Sequence, residues 1–104
     1  MFKFSADEIN DKLFIKLEGA LDIEATEIIE NELVNEISRT DKMIEFDFRK
    51  IDFVDSSGIG LLITLIEQLK ESRRNPKIIN VKEDVQQIFE LIQLDQILGQ
   101  GVLV

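Results

Sequence analysis

The chain has 104 residues, of which 44% are hydrophobic and 32% are charged, and this balance is typical of one globular domain rather than of a disordered segment. Its formal net charge of −9 would be repelled by nucleic acid and by anionic membranes. It has no Cys, which excludes disulfides and thiolate metal sites, and no His, which removes the commonest general base and zinc ligand. We therefore expect no enzymatic activity, no cofactor or metal site, and no nucleic-acid or membrane partner.

The start of the chain and its apolar runs carry no targeting signal. Asp7 and Glu8 follow closely on the first residues, where a secretory signal peptide would have its apolar core. No apolar run approaches the ~20 residues that a helix needs to cross a bilayer. We therefore expect a soluble protein that is located in the cytoplasm.

The first half of the chain predicts two strands and a helix. Apolar and polar residues alternate over 2–6 and again over 13–17, and Asn10-Asp11 between them is typical of a turn. We expect Gly19 to end the second strand. A helix is then predicted from Ile23 to Ser38, with Asp22 accepting hydrogen bonds from its first N–H groups. Its apolar face comprises Ala25, Ile28, Ile29, Leu33 and Ile37.

The second half predicts a central strand, a long apolar helix, a fourth strand and a third helix. The strand covers Met43 to Phe48, and the helix runs from near Ser57 to about Ser72, because Asn75-Pro76 cannot continue it. The fourth strand covers 77–81 and the third helix 85–92. The tail, from residue 97 onward, fits either a short helix or a last strand. The order β-β-α-β-α-β-α predicts a mixed sheet and helices in two layers.

Four basic residues form the best candidate for a local basic patch: Lys70, Arg73, Arg74 and Lys77. Their plainer interpretation is that cations near the C-terminus of a helix offset the helix dipole. We favour this second interpretation.

The segment from Asp52 to Gly60 carries the strongest functional signal. It leads from an apolar strand into a helix N-terminus, where several backbone N–H groups have no intrahelical partner and a phosphate is well tolerated. Gly58 and Gly60 would let another backbone approach closely. A plain helix start, in which Asp55 or a serine caps the first turn, explains the same residues, and they leave both interpretations open. The segment matches neither a Walker A loop nor a dinucleotide-binding fingerprint.

The segment Asp55-Ser56-Ser57-Gly58 resembles the signature of the STAS domain family, and most closely that of the bacterial anti-sigma factor antagonists, in which it opens the second helix. Gly19-Ala20-Leu21-Asp22 resembles the family's turn before the first helix. The resemblance spans roughly residues 10–95. It implies an α/β fold: a single STAS-type two-layer domain over residues 1–104, with a mixed sheet of four to five strands covered by helices.

The resemblance also implies a function and the residues that carry it. The unphosphorylated chain would bind an anti-sigma factor that is also a serine kinase, and would thereby free a sigma factor for transcription. Phosphorylation of Ser56 would switch this binding off, and a serine phosphatase would reverse it. The implied partner-binding residues are Asp22, Asp55, Ser56, Ser57 and Gly58, and none of them is catalytic.

Two positions depart from the family pattern. Ala20 replaces an acidic residue that is frequent in the first motif, and residues 73–76 replace a frequent Gly-Gly turn. Neither change removes the phosphate acceptor, but both bear on which partner is recognised.

Three other functions stay open at the level of sequence. Within the family, the chain could be a non-sigma STAS binding subunit of a stress-sensing assembly or of a lipid-transport complex. Asp55 at a strand-to-helix turn also permits a receiver-type phosphorelay protein, although no lysine follows Leu91 where such a protein needs one. Nucleotide binding at the helix N-terminus is the third, but no residue specifies a base or a ribose.

Overall fold

The structure, a computed structural model that describes all 104 residues, contains one mixed sheet of four strands. They are β1 (Lys3–Ile9), β2 (Lys12–Leu21), β3 (Met43–Val54) and β4 (Lys77–Ile79), and they lie side by side in that order. β1 and β2 are antiparallel, whereas β3 is parallel to both of its neighbours, β2 and β4. The predicted mixed sheet, with the third strand at its centre, is confirmed.

The helices cover one face of this sheet. They are α1 (Ile23–Ile28), a π-helical turn (Ile29–Leu33), α2 (Val34–Ser38), α3 (Ser56–Glu71), α4 (Glu83–Leu91) and α5 (Leu94–Leu98). All 24 buried apolar side chains form one cluster between the two layers. Within it, the ring of Phe48 on β3 meets that of Phe89 on α4 edge to face, with centroids 6.2 Å apart. The opposite face of the sheet has no covering helix.

The first helical segment runs without a break from Ile23 to Ser38, as predicted, but a π-helical turn lies in its middle. Its fully buried residues recur at every fourth position: Ala25, Ile29, Leu33 and Ile37. In an ideal α-helix a spacing of four drifts by about 40° per step, because one turn takes about 3.6 residues. The wider π turn takes up part of this drift. It therefore keeps the apolar stripe facing the sheet.

The prediction that Gly19 ends the second strand is wrong. The strand continues to Leu21, and Gly19 instead lies at an irregularity in its pairing with β3. Gly19 adopts φ +102°, and a Cβ at this position would lie 2.2 Å from the carbonyl oxygen of Met1. The glycine is therefore required by the close approach of the backbone at Met1, just before β1.

Several other predicted boundaries shift when the chain folds. β3 extends to Val54, six residues beyond the predicted end at Phe48, because Ile51 and Val54 continue its buried face. α3 begins at Ser56 instead of Ser57, and β4 ends at Ile79 instead of residue 81. The tail contains both predicted alternatives, since the helix α5 is followed by a parallel bridge between Leu103 and Ile78.

Three of the four basic residues near position 75 donate to backbone carbonyl groups: Lys70, Arg74 and Lys77. Arg74 is buried, and its Nε and Nη1 atoms donate to the carbonyl oxygens of Lys42 and Ile37 at 2.9 and 2.7 Å. Lys70 donates to the carbonyl oxygen of Leu98, the last residue of α5, at 2.6 Å. The interpretation as helix C-terminal cations is confirmed for Lys70, which lies in the last turn of α3 and also reaches the last carbonyl group of α5, whereas Arg74 reaches the carbonyl group of Ile37 in α2.

Candidate functional site

Two strand ends lie side by side at one edge of the sheet. Leu21, the last residue of β2, pairs in register with Val54, the last residue of β3. Because the two strands are parallel, the loops that follow them leave the sheet in the same direction. The backbone N–H of Asp55 donates to the carbonyl oxygen of Leu21 at 3.2 Å, which joins the two loops.

An aspartate caps the helix that follows each of these strand ends. Asp22 Oδ1 accepts from the N–H of Ala25 at 3.1 Å, and Asp55 Oδ1 accepts from the N–H of Gly58 at 2.9 Å. Both aspartates have extended backbones, with φ of −129° and −122°. The predicted cap at Asp22 is confirmed, and the capping role that was left open for Asp55 is observed.

Gly58 fits closely against the neighbouring loop. It is buried, and a Cβ built on it would lie 1.9 Å from the carbonyl oxygen of Leu21. The expectation that this glycine admits the backbone of another molecule is therefore wrong, because the backbone it admits is that of its own chain. Gly60 has open space at the same position, with no atom within 4 Å of a built Cβ.

Ser56 and Ser57 occupy the first turn of α3, and both are exposed. Their N–H groups precede the first backbone bond of the helix, which the N–H of Ile59 donates to the carbonyl oxygen of Asp55 at 2.9 Å. No acidic residue lies in this first turn. Two exposed hydroxyl groups thus stand beside free N–H groups and the positive end of a 16-residue helix.

Four acidic residues lie in or next to the two loops, and we call them the acidic rim: Asp22, Glu24, Asp52 and Asp55. Asp22 and Asp55 are partly buried by their capping roles, whereas Glu24 and Asp52 are exposed. Lys82 forms an ion pair with Asp52 and is the one cation in contact with this group. The electrostatic potential at the start of α3 therefore has two contributions of opposite sign: a positive one from the helix dipole and a negative one from the acidic rim.

Two exposed apolar side chains at this edge were not predicted. Ile23, which follows Asp22, is 67% exposed, and Phe53, which precedes Val54, is 53% exposed. The sequence did contain a signal for Phe53. Because Ile51 and Val54 already fill the buried face of β3, a further apolar residue between them has to be exposed. We call Ile23, Phe53 and the Ser56–Ser57 turn the switch surface.

The structure brings all five residues of the predicted site to one edge of the sheet, but gives them different environments. Asp55 and Gly58 join the two loops through Leu21, Asp22 caps its own helix, and Ser56 and Ser57 face solvent. No group of three or more His, Cys, Asp or Glu side chains lies close enough together to hold a metal ion. None of the helices combines the length and apolar composition that crossing a membrane would need.

A mixed sheet of this order, with two capped helices that follow adjacent strand ends, is that of a two-layer α/β domain. A family model for the STAS domain matches residues 3–102, so the chain belongs to the STAS domain family. The resemblance that the two sequence motifs indicated is therefore confirmed.

Individual relatives agree with this membership. BtrV of Bordetella bronchiseptica, assigned as an anti-sigma factor antagonist, is 22% identical over 89 residues, which are 86% of this chain and 77% of BtrV. The anti-sigma factor antagonist SpoIIAA in its unphosphorylated form matches with a TM-score of 0.65 at 23% identity, over 93% of this chain and 99% of that one. SpoIIAA of Bacillus in the phosphorylated form matches with a TM-score of 0.70 at 22% identity, over 98% and 89%. At these identities the structural matches confirm the predicted α/β fold.

Proposed function

We propose that this protein is an anti-sigma factor antagonist that works by partner switching. The unphosphorylated chain binds an anti-sigma factor with serine kinase activity and so releases a sigma factor, and phosphorylation of Ser56 ends the binding until a serine phosphatase removes the phosphate. The observation that carries the proposal is the exposed hydroxyl group of Ser56 at the start of α3, inside a family signature.

The environment of Ser56 suits a residue that must be both reachable and able to hold a phosphate. Its side chain is exposed, so that a kinase has access. A phosphate there would lie near the N–H groups of the first turn of α3, which stabilise negative charge. Asp55 already uses Oδ1 to cap Gly58, so the helix start would not depend on the phosphate for its own stability.

The same phosphate would oppose docking of a partner. It adds about −1.5 to −2 charges at pH 7, beside Asp55 and in a chain of net charge −9. Like charges pressed together at an interface cost several kcal/mol. A loss of about 3 kcal/mol would weaken binding roughly a hundredfold. The switch therefore needs local charge and no change of fold. Relatives have been solved in unphosphorylated and phosphorylated forms, and both match this chain in fold.

The switch surface also has the composition of a docking site. Ile23 and Phe53 offer exposed apolar contact area next to the two loops, and the acidic rim would attract a basic surface of a partner. We expect the partner to present an apolar recess bordered by Lys or Arg.

The proposal is tested by phosphorylation and binding with purified candidates, namely the anti-sigma factors of serine kinase fold from the source genome. Each is mixed with this protein and ATP, and intact mass is measured for wild type, Ser56→Ala and Ser57→Ala. We expect one candidate to add a single phosphate to wild type and to Ser57→Ala, and none to Ser56→Ala. Phosphorylation that survives Ser56→Ala and disappears with Ser57→Ala would move the acceptor by one residue.

Absence of both binding and phosphate transfer with every candidate would contradict the sigma-regulatory role. Stable binding without phosphate transfer would favour a STAS subunit that acts by association alone. An acid-labile acyl phosphate formed from a small phosphodonor and Mg²⁺ would instead support the receiver-type alternative at Asp55.

A further inference from the structure

The uncovered face of the sheet contains a cleft that the switch surface does not use. Its volume is about 270 Å³, and its walls come from β1, β2 and β3. This is close to the lower end of the size range of small-molecule sites. Its lining side chains include four cations and two carboxylates: Lys3, Lys16, Arg49 and Lys50, with Glu18 and Asp47.

The charge of this cleft is opposite to that of the molecule. Four cations and two carboxylates give the lining a formal charge of 4 − 2 = +2, while the whole chain carries −9. Glu18 forms ion pairs with Lys3 and Lys50, but the six ion pairs of the chain include neither Lys16 nor Arg49. The ammonium of Lys16 lies over the ring of Phe14, 6.0 Å from its centroid, but no carboxylate neutralises it or Arg49, so both charges remain available to an anion that enters the cleft.

A bulge in β3 creates the floor of the cleft. Lys16 pairs with Asp47 and Glu18 pairs with Lys50, so that three steps along β3 match two steps along β2. The extra residue interrupts the ladder, and the N–H of Arg49 donates to Asp47 Oδ1 at 2.9 Å. Bulges of this kind redirect side chains and are frequent next to functional sites.

Asp47 is held in place and yet keeps one oxygen free. It is only 7% exposed, and both of its hydrogen bonds, from the N–H of Arg49 and from Asn80 Nδ2 at 3.2 Å, go to Oδ1. Oδ2 has no partner within the chain. The chain's one buried side-chain atom without a partner is Arg74 Nη2, so Asp47 Oδ2 is accessible from the cleft and can accept from a hydroxyl or amine donor.

We infer that this cleft binds a small phosphate ester that also carries hydroxyl groups, such as a sugar phosphate. The phosphate would contact Lys16 and Arg49, and a hydroxyl group would donate to Asp47 Oδ2. Both halves of the site contribute to affinity: an anion too small to reach Asp47 with a hydroxyl group while it contacts the two cations gains nothing from Asp47 and faces its negative charge, and a neutral sugar leaves the two cations unused. The site does not involve Ser56, so its existence is independent of the proposed switch.

The test uses the full-length ¹⁵N-labelled protein and three probes: glucose 6-phosphate, inorganic phosphate and glucose. Amide shifts are followed by NMR through millimolar titrations. We expect glucose 6-phosphate to shift the signals of Lys16, Asp47 and Arg49, and to bind about tenfold more tightly than inorganic phosphate, because a hydrogen bond to a charged group is gained. Glucose alone should cause no shift, and added salt should weaken binding of the ester.

Two variants and one control separate the parts of the site. Asp47→Asn keeps an Oδ1 acceptor for Arg49 and Asn80 but replaces the free oxygen by a donor, so the advantage of glucose 6-phosphate over inorganic phosphate should disappear. Arg49→Ala should weaken the binding of both anions by about tenfold. Arg39→Ala removes an exposed arginine that does not line the cleft and should leave both affinities unchanged.

Three results would overturn the inference. One is the absence of shifts at millimolar glucose 6-phosphate. Another is equal affinity for the ester and for inorganic phosphate, which would make the cleft merely electropositive. The third is binding that shifts Ser56, Ser57 and Gly58 instead, which would locate the anion at the start of α3.

Discussion

The two ends of α3 are built in opposite ways. At its start, Gly58 occupies a position where no side chain fits, and an aspartate caps the first turn. At its end, the chain turns through Arg73 and Asn75, which adopt φ of +59° and +49° without being glycines. Arg74 between them sends its side chain inward to two backbone carbonyl groups.

This contrast shows where the fold tolerates strain. The start of α3 has to hold two loops in contact so that Ser56 is presented at a fixed place, and glycine is used where contact demands it. At the end of the helix, an arginine and an asparagine adopt left-handed backbone conformations, at a cost in backbone energy. The Gly-Gly turn that is frequent in the family is replaced here by a segment in which the side chain of Arg74 binds two backbone carbonyl groups.

The largest effect is expected at the start of α3, from Gly58→Ala. The new methyl group would overlap the carbonyl oxygen of Leu21, so the two loops must separate. We expect the free energy of unfolding to fall by about 3 kcal/mol. Gly60→Ala is the matched control: its methyl group meets no atom within 4 Å, and alanine favours the helix, so stability should rise by about 0.5–1 kcal/mol. Urea denaturation measures both, and equal effects would refute the close contact.

At the other end of the helix, Arg74→Ala removes a buried guanidinium. Burial lowers the pKa of Arg74, and the nearby charge of Asp41 opposes this shift. The carbonyl groups of Ile37 and Lys42 would lose their donors, and we expect a loss of about 2–3 kcal/mol in thermal or urea unfolding. Arg39→Ala, at an exposed position, should change stability by less than about 0.5 kcal/mol. A loss no larger in Arg74→Ala than in this control would show that the buried bonds do not contribute.

Removing either aspartate cap is expected to have a smaller effect on stability, and one of similar size at the two positions. Asp22→Ala and Asp55→Ala each remove one hydrogen bond to a helix N–H, at 3.1 and 2.9 Å, and each should cost about 1 kcal/mol. Replacement by Asn, which keeps the acceptor, should restore most of this loss. If Asn and Ala destabilise equally in urea, capping is not what these residues contribute to folding.

The smallest effect is expected from relieving strain at the end of α3. Arg73→Gly places at φ +59° the one residue without a Cβ penalty, and we expect a gain of up to about 1 kcal/mol in unfolding free energy. Asn75→Gly should gain less, because asparagine tolerates this region better. Destabilisation by Arg73→Gly would mean that the Arg73 side chain contributes more than its backbone costs.

The sequence predicted the element types because local chemistry determines them, whereas the site residues were predicted only through the resemblance to a family. The cap at Asp22, the stop at Pro76 and the alternation in β1 and β2 all depend on neighbours along the chain. The features that were predicted wrongly depend on residues that are distant in the sequence. Position 19 needs a glycine because its backbone closely approaches the carbonyl group of Met1, and position 58 needs one because its backbone closely approaches the carbonyl group of Leu21.

The cleft could not be predicted for the same reason. It exists because one extra residue in β3 displaces its pairing with β2, and strand register does not follow from composition. Likewise, the exposure of Ile23 and Phe53 becomes clear only when other side chains have filled the core.

The most direct test of the switch is a calorimetric titration of the anti-sigma factor that phosphorylates this protein, with unphosphorylated and Ser56-phosphorylated forms compared in one buffer. The account predicts affinity about a hundredfold weaker for the phosphorylated form, with an unchanged circular dichroism spectrum. Equal affinity of the two forms would contradict it.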